Sequence, residues 1–265
     1  MDFYSLLQHI MVPNRDNGRC FTDTQRIEKI DSLLWDTGYR RCNPDGLFFL
    51  YSKRPVEEIS EPILISSHID CVPQMTELFA KDYNEEYVDG TFDNCITNAA
   101  ILFLMLSEQL GDDVVVAFTG DEECNSNGAS QLVNYLSKKH IAPRATIILD
   151  VTDMGWENGA SFTVENNFWS DELGKRVIEV VKRSNCLWKF VPSYVDNIPV
   201  FIDKSCVIEE EAEEDESWQY DECDYECFSF CLPVEGPMHS RLGVFARKRS
   251  ITEYIDTLKN IINEI

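Results

Sequence analysis

Residues 113–123 read DVVVAFTGDEE. DVVVAFT is a short, nearly continuous apolar run, the pattern of a strand buried on both faces. The run then breaks at a glycine and passes straight into three acids. Buried strands of this kind belong to mostly parallel sheets, in which ligands bind beyond the carboxyl ends of the strands. The reading therefore predicts an α/β sheet with ionisable groups gathered above one edge.

The neighbouring sequence repeats the pattern. Gly46–Tyr51, Pro62–Ser67, Ala145–Leu149, Ser161–Glu165 and Glu226–Leu232 also read as strands. Helical stretches lie between them, at Cys95–Leu110, Asn127–Lys139 and near Asp171–Ser184. Thr22 and Gln25 form a capping-box pattern that opens a helix to Gly38, with Ile27, Ile30 and Leu34 on one face. Ser250 and Glu253 form a second box, opening a C-terminal helix with Ile251, Tyr254, Leu258, Ile261 and Ile262 on one face. This alternation predicts a three-layer αβα sandwich around a mixed, mostly parallel sheet. No repeat of solenoid spacing is present.

Composition narrows the function. The chain has 265 residues, which suits one large domain, and it is 44% hydrophobic, which excludes a disordered or fibrous protein. Lys plus Arg is 23 and Asp plus Glu is 47, so the net charge is 23 − 47 = −24. So acidic a surface repels nucleic-acid backbones and anionic membranes. No apolar run reaches the roughly 20 residues that span a bilayer. The N-terminus has an acid at position 2 and no basic stretch before its apolar residues, so no signal peptide is read and a cytoplasmic location is expected.

With that location, the 10 cysteines are expected to be reduced, and Cys95, Cys124 and Cys186 to be buried. Cys223, Cys227 and Cys231 recur every four residues, but no matching fourth ligand is near, which argues against a structural zinc. The stretch EEEAEEDE, 209–216, reads first as a solvated surface loop and second as a cation-attracting rim beside a metal site.

The ends of the strands carry the chemistry. ILISS is followed by His68 and Asp70, and VVVAFTG by Asp121, Glu122 and Glu123. ATIIL ends in Asp150, Asp93 precedes a helix, and His239 follows the last strand. There are only four histidines, and two of them fall in these places. Imidazole and carboxylate together are ligands for zinc-like ions. His68, Asp93, Glu123, Asp150 and His239 provide donors for two divalent ions if one carboxylate bridges them. Glu122 adjoins a ligand but projects differently, as a general base would. Asp70 is placed to accept the outer ring N–H of His68 and so fix its tautomer. Each feature alone has a bland reading, such as a helix cap, a surface acid pair or a buried core histidine. Their joint occurrence at strand ends is what argues for a site.

In order along the chain, SSHIDCVP, GTFDNCITNAAILFL, TGDEECNSNGA, ILDVTD and GPMHSRLGVF resemble the co-catalytic zinc peptidases, the superfamily of aminopeptidases and related carboxypeptidases and deacylases. The resemblance is strongest to the glutamyl-aminopeptidase/endoglucanase-like branch, with the leucyl-aminopeptidase-like branch close behind. It implies His68 and Asp150 on one ion, Glu123 and His239 on the other, and Asp93 bridging. It implies Glu122 as general acid/base and Asp70 as the acid that orients His68. The expected ions are zinc, with cobalt or manganese sharing the same ligands. Only 25 positions separate His68 from Asp93, too few for the domain this branch often inserts, so residues 1–265 are expected to form one catalytic domain without a dimerisation or lid domain. Two departures stand out: Thr97 where a glycine often follows the bridging aspartate, and Gly243 near a place that often holds an acid.

The activity implied is hydrolysis of a peptide or small amide bond, as an aminopeptidase first. An N-acyl amino acid deacylase or carboxypeptidase would use the same ions and hold a substrate carboxylate, with Arg241, Arg247 and Lys204 as candidates. A non-catalytic binding protein on the same fold is the third reading. A monomer or small homo-oligomer is expected.

Overall fold

A computed structural model describes residues 1–12, 24–43, 46–72, 75 and 77–265. In chain order the elements are α1 (Phe3–Ile10), α2 (Thr24–Leu34), β1 (Arg40–Arg41), β2 (Phe48–Ser52), β3 (Ile63–His68), β4 (Ala80–Asp82), β5 (Tyr87–Gly90) and α3 (Cys95–Leu106). Then follow β6 (Val114–Thr119), α4 (Glu122–Asn125), α5 (Asn127–Lys138), β7 (Ala145–Thr152), β8 (Phe162–Phe168) and α6 (Asp171–Arg183). The last are β9 (Trp188–Val191), α7 (Ser217–Asp221), β10 (Cys227–Glu235), β11 (Val244–Arg247) and α8 (Lys248–Glu264).

The main sheet runs β1-β2-β6-β3-β7-β10-β8-β9. Its centre, β6-β3-β7-β10, is parallel, and β2 and β8 flank that centre antiparallel. The last residues of β10 leave this sheet and pair with β11, which continues into an antiparallel ribbon with β5 and β4.

Alternation along each central strand makes the layers, because successive side chains point to opposite faces. Ile63, Ile65, Val116, Phe118, Ile147 and Leu149 pack on one face with buried residues of α1, α2, α3, α6 and α8. Leu64, Val115, Ala117 and Ile148 pack on the other with Leu132, Val133 and Leu136 of α5. The result is the expected αβα sandwich around a mixed, mostly parallel sheet. On the second face, α7 packs over β10 and β8. There residues 212–217 lie against the strands, and Cys227 Sγ reaches the Ser217 carbonyl at 3.3 Å.

Expectations about one capping box and two cysteines are corrected here. The Ser250–Glu253 capping box does not form. β11 passes directly into α8 at Lys248, so Ser250 lies inside the helix and is buried, and Glu253 instead accepts from Arg249 at 2.7 Å. The first box rests on Thr22, outside the described residues. Cys124 is neither buried nor reduced: it is exposed on the four-residue α4 and is disulfide-bonded. Cys95 is buried, Cys186 half-buried, and both are free, as are Cys42, Cys71, Cys206, Cys223, Cys227 and Cys231. Among the described residues, no helix is long and apolar enough to cross a membrane.

Candidate metal centre

The parallel strands β6, β3 and β7 deliver three parts of the site to one edge. β3 ends on His68, which is 2% exposed. β7 carries Asp150 near its carboxyl end. β6 ends at Thr119, and Asp121 then adopts a left-handed conformation (φ 63°) that turns the chain into α4, which opens on Glu122 and Glu123.

The fourth part, Asp93, lies between β5 and α3, and its peptide bond to Asn94 is cis. The first turn of α3 is fastened to both neighbouring strands. Asn94 Nδ2 donates to the Leu149 carbonyl at 2.7 Å and to Ser67 Oγ at 3.3 Å. Asn98 Nδ2 donates to the His68 carbonyl at 2.7 Å. Thr97, one of the two departures, donates its hydroxyl to Asn94 Oδ1, so it supports the amide beside Asp93. Gly243, the other, has φ +76°, and a Cβ there would stand 2.8 Å from the Gly90 carbonyl oxygen. Packing against the ribbon leaves no space for an acid.

The fifth part is His239, in the loop between β10 and β11, with its side chain 55% exposed. His68 Nε2 lies 3.1 Å from Asp93 Oδ1, 3.4 Å from Asp150 Oδ1 and 3.9 Å from Glu122 Oε2. His239 Nε2 lies 3.1 Å from Asp93 Oδ2 and 3.3 Å from Glu123 Oε2. The two oxygens of Asp93 thus face two different histidines. Asp70 Oδ1 is 3.3 Å from His68 Nδ1, and its other oxygen accepts from the Glu123 backbone N–H at 3.3 Å. All seven residues singled out in the sequence converge here.

The donor set fits divalent ions. His68, Asp93 and Asp150 form one group and Asp93, Glu123 and His239 another, with the donor atoms of each group within 4.8 Å of one another. Neutral imidazole with carboxylate is the chemistry of zinc-like sites, and a carboxylate shared between two groups is suited to a pair of ions. Electrostatics agree. Burial pushes Glu122 up to about 9, with Asp150 adding to the shift and His68 opposing it. Burial pushes Glu123 up to about 10, with Asp93 adding to it. Burial disfavours charge on His68, but Asp150 and Glu122 outweigh it and hold the ring's pKa well above the ordinary imidazole range. Burial likewise opposes ionisation of Asp93, yet its hydrogen bonds to the two histidines hold its pKa far below the usual carboxylate range. Five carboxylates thus crowd two imidazoles, a charge pattern that bound cations would relieve.

The site opens into a cleft of about 260 Å³. Its lining divides the acidic stretch between the two readings. Glu213, Glu214 and Asp215 border the cleft, while Glu216 is 1% exposed and accepts from Ser66 Oγ at 2.8 Å. Glu209, Glu210 and Glu211 are exposed and do not border the cleft, while residues 213–216 form a wall of the site, with hydroxyls on β3 and β10 holding Glu216 and Asp215. Glu165 of β8, which the sequence reading did not single out, also borders the cleft and is 5% exposed. The candidate carboxylate holders lie elsewhere: Arg247 stacks 3.6 Å over the Trp156 ring, and neither Lys204 nor Arg241 lines the cleft. Among the described residues, Cys223, Cys227 and Cys231 contribute to no cluster of metal donors.

Comparison with known proteins gives the family and the fold. The model of peptidase family M20/M25/M40 matches residues 64–257. No curated protein matches the chain. Among solved structures, the TET1 peptidase of Pyrococcus horikoshii, described as assembling into a tetrahedron or a large octahedral shell, is similar with a TM-score of 0.70 at 11% identity, covering 100% of both chains. An aminopeptidase of the archaeon Desulfurococcus kamchatkensis gives a TM-score of 0.70 at 11% identity, covering 99% of this chain and 95% of that one. A TET aminopeptidase of a marine sediment thaumarchaeote gives 0.73 at 10% identity, covering 99% and 96%. At these identities the likeness is one of fold.

Proposed function

The chain belongs to peptidase family M20/M25/M40, a family of metal-dependent peptidases, and from that membership we propose that it is an aminopeptidase that works with two metal ions. The observation that carries the aminopeptidase reading is the lining of the cleft. Its charged groups beyond the donor residues are acids, and no Lys or Arg borders it among the described residues. A deacylase or carboxypeptidase needs a cation to hold its substrate's carboxylate, whereas an aminopeptidase needs none there, and the acidic field of the cleft favours a substrate that carries a positive amine.

In this reading His68 and Asp150 hold one ion, Glu123 and His239 hold the other, and Asp93 serves both. Zinc is the first choice of metal, with cobalt or manganese compatible. The ions, when bound, supply Lewis acidity for the substrate carbonyl and lower the pKa of water. Glu122, facing the cleft beside the donors, takes the proton of the attacking water and returns it to the leaving amine. Asp70 holds the His68 ring so that Nε2 faces the donors. Residues 1–265 act as one catalytic unit without an inserted domain, on peptides or small amides.

Two measurements test this. Elemental analysis of protein purified without chelator and dialysed against micromolar zinc should give about two ions per chain by the two-group geometry. Glu122→Gln should retain that metal and lose aminopeptidase turnover by about two to four decades, the usual scale for removing a general base. Metal-free protein, or full activity of the variant, would overturn the reading.

A further inference from the structure

The sheet register gives the cleft a length. Cys231 of β10 stands beside Asp150 of β7, and Thr163 of β8 stands beside Cys231. Two interstrand spacings of about 4.8 Å therefore place Thr163 roughly 10 Å from Asp150. Glu165 follows Thr163 on the same face. Its carboxylate is 5% exposed, borders the cleft, and accepts from the Thr163 hydroxyl. Asp215 comes to the same place from the opposite wall, accepting from the Ser217 N–H at 2.8 Å and from the Ser229 hydroxyl. Glu213 and Glu214 stand exposed at the mouth.

Among the described residues, none of these four acids pairs with a Lys, Arg or His. A buried carboxylate held only by hydroxyls is costly to the fold, and an apolar residue of the same volume would be cheaper. The fold has no use for Glu165 that its own contacts reveal, but a cation arriving through the cleft would pair with it. Val151 and Met238 also border the cleft and offer apolar surface for a methylene stem.

Distance selects the source of that cation. A substrate's α-ammonium lies only about 2.5 Å from its own carbonyl carbon. With the carbonyl held between the donor groups, it stays near them. A lysine ammonium lies roughly 6 Å beyond its Cα on a flexible stem, which reaches the far end of the cleft. We propose that this end of the cleft is a subsite for the basic side chain of a first-position lysine or arginine, with Glu165 and Asp215 receiving the charge. The proposal rests on the aminopeptidase reading.

The test uses zinc-loaded full-length protein. Lysine p-nitroanilide is compared with norleucine p-nitroanilide, which keeps the α-amine and the stem but lacks the ε-ammonium. The lysyl substrate should be favoured at least about tenfold in kcat/KM, the scale of one charge-assisted pair. Glu165→Gln and, separately, Asp215→Asn should bring that ratio toward one. A variant that merely folds poorly lowers both rates and leaves the ratio intact. Calorimetry of free L-lysine against L-norleucine gives a readout independent of turnover, with lysine expected to bind more tightly until Glu165 is replaced. Equal handling of the two compounds by the natural protein, or a ratio untouched in both variants, overturns the proposal. If neither anilide is cleaved but lysine still binds preferentially through Glu165, the subsite stands and the aminopeptidase reading falls. If neither is cleaved and both amino acids bind alike, both readings fall.

Discussion

Glu216 shows what a single buried acid does beneath this sheet. One oxygen accepts from Ser66 Oγ at 2.8 Å, and the same Ser66 Oγ accepts from the Tyr220 hydroxyl at 2.9 Å. The other oxygen, Oε1, has no hydrogen-bond partner among the described residues. Burial pushes its pKa up to about 7, against the opposing pull of the nearby Thr119 hydroxyl, the charge on His68 and the Ser66 hydrogen bond. The sign follows from proton linkage. A carboxyl whose folded pKa exceeds its unfolded value of about 4.5 binds more protons when folded, so its contribution favours the folded state below that value and is lost as pH rises toward 7. Gln cannot ionise and should escape this loss. Metal-free Glu216→Gln protein should therefore gain on the natural protein in melting temperature between pH 5 and pH 7.5, by a few degrees. A difference that stays constant across that range would show that Glu216 is not neutralised in the fold.

At the scale of elements, the site depends on how α5 is seated. Gly128, in its first turn, is buried, and a Cβ there would meet the Gly120 carbonyl oxygen at 2.4 Å and the Leu47 carbonyl oxygen at 2.5 Å. Both are backbone atoms, so neither can rotate away. Gly120 belongs to the turn that leads from β6 to Glu122 and Glu123. Gly128→Ala should cost about 1–3 kcal/mol by overpacking. It should also weaken zinc binding, since the shift falls on the turn that aims Glu123. Normal zinc affinity in a destabilised variant would separate the two effects. The long elements were legible in the sequence because their patterns are strong. DVVVAFT became β6, and Asn127–Lys139 became α5 to within one residue. The short ones were not. β1, β4, β9 and β11 span two to four residues, and the polar ribbon residues Lys81 and Asp82 carry no apolar alternation to read. The candidate donors were legible because each follows a strong strand or precedes a strong helix. Glu165 was hidden inside β8, where nothing local marks a strand residue as facing a cleft. Asp215 was hidden in a charge run that looks like any solvated loop until Ser229 is seen to hold it.

For the whole molecule, the question is how a chain of net charge −24 tolerates five of its carboxylates gathered at one strand edge. Like charges at close range oppose the compact state, and bound cations reverse that. Metal should then act as a folding partner. A ligand that binds only the folded state at 100 times its Kd stabilises by about 2.7 kcal/mol. For a chain of this size that is a rise of roughly 5 to 10 °C in melting temperature per site. The shared carboxylate makes the pattern specific. His239→Ala removes a donor from one group and should keep part of the zinc-induced rise. Asp93→Asn removes the shared negative charge and leaves a single oxygen, which can face one group at most, so it weakens both groups and should abolish most of the rise. Scanning fluorimetry of chelator-treated protein with and without zinc reads this directly, and light scattering on the same samples checks the expected monomer or small homo-oligomer against the large shell described for the Pyrococcus peptidase. If Asp93→Asn and His239→Ala lose the same share of the rise, Asp93 does not serve two ions, and the two-metal reading gives way to a single ion held on the His68 side or the His239 side alone.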